Sequence, residues 1–77
     1  MRNPRWFVNI DHLHEPDLEF MGWYKIAEGD EVSVYRRPYD GEEQVVANGP
    51  PRFMVIDDYN DAVTLSSGHI IVGPENS

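Results

Sequence analysis

The chain has 77 residues, fourteen acidic against six basic side chains for a formal net charge of −8, and no cysteine. That length suffices for one domain, residues 1–77, which buries only roughly 60% of the surface of its unfolded chain. Disulfides and thiolate metal sites are excluded. The charge argues against direct binding of a phosphate backbone.

No run approaches the ~20 apolar residues of a membrane span. Met1-Arg2-Asn3-Pro4-Arg5 is not followed by the apolar stretch of a signal peptide. The expectation is a cytoplasmic protein away from membranes.

In chain order, Arg5 to Leu13 alternates, with Trp6, Val8 and Ile10 on one face of a half-buried strand. Pro16 starts a short helical turn near residues 16–21, with Asp17 and Glu19 set favourably against the helix dipole. Phe20 to Ile26 reads as an aromatic strand, Glu28-Gly29-Asp30 as a turn, and Val32 to Arg37 as the next strand. Pro38-Tyr39-Asp40-Gly41 is a hairpin connection, and Gln44 to Ala47 returns as a strand. Asn48-Gly49-Pro50-Pro51 breaks the ladder, since proline donates no backbone hydrogen bond.

Phe53 to Tyr59 is the strongest strand signal, Asn60-Asp61 reads as a tight turn, and Ala62 to Leu65 as a strand pairing back. Ser67-Gly68 then turns into Ile70-Ile71-Val72. Residues 1–4 and 74–77 are expected to be flexible. Five to seven short antiparallel strands predict a mainly β fold, a small SH3-like or similar barrel whose closure removes exposed edges.

No catalytic constellation is complete. Ser66 and Ser67 beside Gly68-His69 lack the strand–elbow–helix setting of a serine nucleophile. Asp57-Asp58-Tyr59-Asn60-Asp61 lacks the glycine and glutamate of a calcium loop. Arg36, Arg37 and Arg52 interleave with Tyr35, Tyr39 and Phe53, and ion pairing to surrounding acids is the expected role of these arginines. Nine aromatic residues are too many for so small a core. Some of Trp6, Phe20, Trp23, Tyr24, Tyr39 and Tyr59 are therefore expected to line a contact surface.

Asp11-His12-Leu13-His14-Glu15 offers two imidazoles two residues apart, on one face of a strand. The spacing His12-x-His14-x-x-x-x-Glu19 is similar to the first metal motif of the cupins, and Gly68-His69-Ile70-Ile71-Val72-Gly73-Pro74 resembles the opening of their second. The resemblance implies a metal-binding jelly-roll with His12, His14 and Glu19 as ligands. The glycine expected after the glutamate comes late, at Gly29, and no later histidine completes the second motif.

The leading expectation is a non-catalytic protein-binding module with no assigned catalytic residue, cofactor or metal. It is of the inhibitor or adaptor type that phages and mobile elements encode, its aromatics rimmed by carboxylates. Its partner is a protein whose basic groove the acids occupy, such as a nucleic-acid-binding protein engaged by mimicry. Asp11, Glu15, Asp17, Glu19, Glu28, Asp30 and Glu31 supply seven acids in the first half, with Lys25 between them. The alternatives are a reduced cupin-like metal-dependent binder or enzyme and a structural subunit of a larger assembly.

Overall fold

The computed structural model describes residues 5–67 and 71–72. Its strands are β1 (Trp6–Asn9), β2 (Tyr24–Glu28), β3 (Val32–Arg37), β4 (Glu42–Ala47), β5 (Phe53–Ile56) and β6 (Ile71–Val72). Helix α1 (Glu15–Phe20) separates β1 from β2, and α2 (Tyr59–Ser66) separates β5 from β6. The strands form one sheet in the order β2-β3-β4-β5-β1-β6, every neighbouring pair antiparallel.

The alternation read along β1 sets the sheet's orientation. Val8 and Ile10 are fully buried and point into the same core as Tyr35, Val46, Met54 and Ile56 from the other strands. Leu18 is the one buried residue of α1, and Ala62 and Leu65 close the core from α2. Both helices therefore contribute to one face of the sheet. Trp23 is buried where the chain leaves α1, its N–H bonded to the Leu18 carbonyl at 2.8 Å.

The β3–β4 hairpin follows the expected turn. The Arg37 carbonyl accepts from the Gly41 N–H at 2.8 Å, and Gly41 takes the positive φ of 74° that glycine adopts without strain. Gly49 also has a positive φ, 47°, and an added Cβ there would collide with the Pro51 carbonyl.

Several expectations are corrected. The mainly β class holds, but the sheet is open: β2 and β6 form its two edges, and no SH3-like barrel closes. The β2 edge carries charged Lys25 and Glu28 and a register shift between Lys25 and Ala27, devices that blunt an unpaired edge. The aromatic strand expected from Phe20 starts only at Tyr24, because α1 runs through Phe20. The strong strand ends at Ile56, short of Tyr59.

The largest correction is Ala62 to Leu65, which is helix and not strand. Asp58 is its N-cap, extended in backbone, with its carboxylate accepting from the Asn60 N–H at 2.9 Å. Asn60 and Asp61 are thus the first helical turn. The buried Ala62, Leu65 and Ser66 have the three-and-four spacing of a helical face, and Ser67 ends the helix in the left-handed conformation. Residues 1–4 and 74–77, and the Ser67-Gly68 turn past Ser67, lie outside the described residues. Among the described residues no helix is long and apolar enough to cross a membrane.

The cap is open to test. Asp58→Ala should cost about 1 kcal/mol, read as a lower urea midpoint at unchanged m-value, while Asp58→Asn should retain most of the stability. Equal stability of all three proteins would contradict the capped helix.

Candidate functional site

Arg37 is the organising residue on one side of the molecule. Its side chain is 8% exposed and makes a forked pair with each of two carboxylates. Nη2 lies 2.6 Å from Asp40 Oδ2 in the hairpin and 2.9 Å from Asp61 Oδ2 on α2, and Nη1 lies 2.8 Å from Asp61 Oδ1. The guanidinium carbon stands 4.5 Å from the Trp23 ring centre and 4.8 Å from that of Tyr39. One cation thereby fixes β3, the hairpin, α2 and two aromatic rings.

Charge follows geometry here. The hydrogen bonds that Arg37 donates hold the Asp40 carboxyl below its ordinary value, and acceptance of them by Asp61, then Asp40, raises the affinity of Arg37 for its proton. Both groups are locked in their charged forms at neutral pH.

Tyr39 stays 76% exposed although its ring is fixed on Arg37. With Gly22, Tyr24 and Pro38 it lines an open groove of about 540 Å³. Phe20, two residues before Gly22, is 94% exposed, and Tyr24 is 46% exposed. Asp40 follows Tyr39 in the chain, and Glu19 lies three residues before Gly22. Of the aromatics expected to line a contact surface, Tyr24 and Tyr39 line this groove. Trp23 is buried behind them, and Tyr59 sits apart on α2 with its ring 5.4 Å from that of Trp6.

The three arginines divide. Arg37 and Arg36 pair with acids, Arg36 to Glu43 at 3.8 Å. Arg52 instead donates to the Ile10 and Leu13 carbonyls at 3.2 and 2.7 Å and holds the loop after β1.

The histidine motif comes apart. His12 turns inward, its Nε2 3.2 Å from the Leu65 carbonyl of α2. His14 is the exposed N-cap of α1, and its N–H donates to Asp17 at 2.9 Å. Glu19 lies on the exposed surface of the same helix. Among the described residues no group of three or more His, Cys, Asp or Glu could hold a metal ion, so His12, His14 and Glu19 do not converge. The single open sheet also differs from the double-sheet jelly-roll that the cupin resemblance implies. His69 lies outside the described residues. Asp11, in the same segment, accepts from the Arg52 N–H at 2.8 Å and from Asn9 at 3.1 Å, which lowers its proton affinity.

A second surface was not anticipated from the sequence. On the sheet face away from the helices, Phe7, Val45, Ala47, Phe53 and Val55 line a shallow depression of about 350 Å³. Val45 is 43% exposed.

No family model, no curated protein and no solved structure matches the chain. Chemistry and geometry are the remaining guides to its activity.

The Arg37 hub yields a prediction with a sign. Arg37→Ala strands Asp61 and Asp40 without their cation and should cost about 3 kcal/mol, the low end for a broken buried pair because both acids reach solvent. Arg37→Lys should rescue little, since an ammonium cannot make two forks. The folded Asp40 pKa is depressed, so its contribution is present above the unfolded value and lost as pH falls through the folded one. The stability gap between the parent and Asp40→Asn should therefore narrow on acidification below about pH 4, measured by urea unfolding across pH.

Proposed function

We propose that the chain is a non-catalytic protein-binding module whose aromatic groove at Gly22, Tyr24, Pro38 and Tyr39 receives a basic segment of a partner protein. The observation that carries this reading is Tyr39, largely exposed yet held by its stacking on Arg37. An exposed ring on a flexible loop would lose conformational freedom on binding. A ring already fixed loses little, which is how aromatic anchors come to dominate interfaces.

Charge supports the choice of partner. A protein at −8 attracts basic surfaces at long range, and Asp40 follows the groove residue Tyr39 in the chain. A basic groove of a nucleic-acid-binding protein has the required sign, and occupying it would make the chain an inhibitor or adaptor by mimicry. No catalytic set on the described surface favours an enzyme over this reading.

Nitrogen-15 labelled protein should be titrated with short synthetic peptides, basic, neutral and acidic, and followed by amide shifts. Basic peptides should move Gly22, Tyr24, Tyr39 and Asp40 and bind less tightly in high salt. Tyr39→Ala should weaken them by roughly tenfold or more, about 1.4 kcal/mol. Equal binding of all three charge classes, binding indifferent to Tyr39→Ala, or no binding of any basic peptide would overturn the proposal.

A further inference from the structure

We propose that the uncovered face of the sheet is a symmetric interface between two copies of this chain. The surface meets the aromatic groove only at its charged margin, where Tyr24 pairs with Arg36, and does not depend on the reading given to the groove.

The sequence of the strands is the first observation. Phe53-Met54-Val55-Ile56 is apolar at every position, and Val45-Val46-Ala47 and Trp6-Phe7-Val8 are similar. A strand with one face in water alternates apolar with polar, whereas continuous apolar runs belong to strands covered on both faces. Here the helices cover one face. Met54, Ile56, Val46 and Val8 use it, and the intervening side chains have no cover among the described residues.

Register orders those intervening side chains into rows. Val34 pairs with Val45 and Phe7 with Val55, giving an apolar row across β3, β4, β5 and β1. Val32 pairs with Ala47, and Ala47 with Phe53, giving a second. The charges lie in a third row at one end of the sheet. Arg36 pairs with Glu43 at 3.8 Å and Arg5 with Asp57 at 3.9 Å, and Arg5, Glu43 and Asp57 line a neighbouring depression that shares Val45 and Val55 with the apolar one. Across the sheet the row reads plus, minus, minus, plus.

This face is neutral on a chain of −8: with its two arginines and two acids set aside, the rest of the sequence has four basic and twelve acidic residues. A second copy meets no net like charge here, whereas the remainder of the sequence carries the whole −8. The charged row also selects the symmetry. A two-fold axis along the strands would stack Arg36 on Arg5 and Glu43 on Asp57. An axis across the strands stacks apolar rows on apolar rows and carries the two charged rows to opposite wet margins, the apolar-centre, polar-rim arrangement of stable interfaces.

The area is at the low end of what a dimer needs. The four strands that carry the rows, about 4.8 Å apart, and rows spanning about 20 Å give a projected area of about 400 Å², and more in accessible surface. A specific interface needs roughly 600–800 Å² per partner. The molecule measures 31 × 27 × 25 Å, large enough to present such a face.

Sedimentation velocity across a concentration series should show a monomer–dimer equilibrium with micromolar affinity that tightens as salt screens the −8 charges. This salt response is opposite in sign to that of basic peptides at the groove, so either reading can fail alone. Val45→Glu and, separately, Val32→Lys alter residues 43% and 49% exposed and should raise the dissociation constant tenfold or more. In mixed labelled and unlabelled wild-type protein, isotope-filtered spectra should show intermolecular contacts from Val45 methyls to Ala47 and from Val55 methyls to Phe53. A monomer throughout, a dimer indifferent to both variants, or a dimer without those methyl contacts would overturn the proposal. In the first case the face belongs to a different partner.

Discussion

The forked pairing of Arg37 with Asp40 and Asp61 is the interaction on which the groove side of this molecule depends. A 77-residue chain buries little surface, so a cation held by two carboxylates and two aromatic rings does the cross-linking that disulfides supply elsewhere. Burial alone would make the guanidinium costly. Its cost is offset by charge-assisted bonds to acids that themselves reach solvent, at 33% and 23% exposure, and so are not stripped of water in return. Tyr39 owes its fixed position to this arrangement. The groove's shape is therefore a consequence of fold stability and not an addition to it.

A second constraint is the shortage of covering material. Helices of six and eight residues close one face of the sheet and leave the other to strand side chains alone. Evenly polar outer positions would be the ordinary solution for a sheet facing water. The chain instead places valine, alanine and phenylalanine there and confines the charges to one row, at a stability that small size already makes thin. Surface so arranged is costly to leave wet, which gives association a driving force that the acidic remainder of the chain would otherwise oppose.

Legibility in the sequence varied with the kind of signal. The β3–β4 hairpin was readable because alternation and Asp40-Gly41 agreed, and β1 because Val8 and Ile10 sit two apart. Helix α2 was misread because β-branched Val63 and Thr64 suggested a strand. The competing signs, Asp58 as a cap and Ala62, Leu65 and Ser66 at helical spacing, occupy only two turns, where propensity counts for little against packing. Barrel closure was inferred from the need to hide edges, but β2 protects its edge with charge and a register shift. The exposed aromatics were foreseen as a class. Which of them stay outside depended on Arg37, whose stacking on both Trp23 and Tyr39 is a tertiary event that composition does not encode.

The distribution of acids also bears on which association is allowed. Glu28 ends β2 and the turn after it holds Asp30 and Glu31, so a second β2 pairing at that edge would bring carboxylates near carboxylates. Lys25 cannot relieve this, because it is engaged by Glu28 at 3.2 Å and Glu15 at 3.5 Å. Pairing through the β2 edge is thus opposed by charge, whereas face-to-face pairing is neutral and closes after two copies. The acids that give the chain its −8 charge thus lie away from the apolar rows of the sheet, where a second copy meets least repulsion.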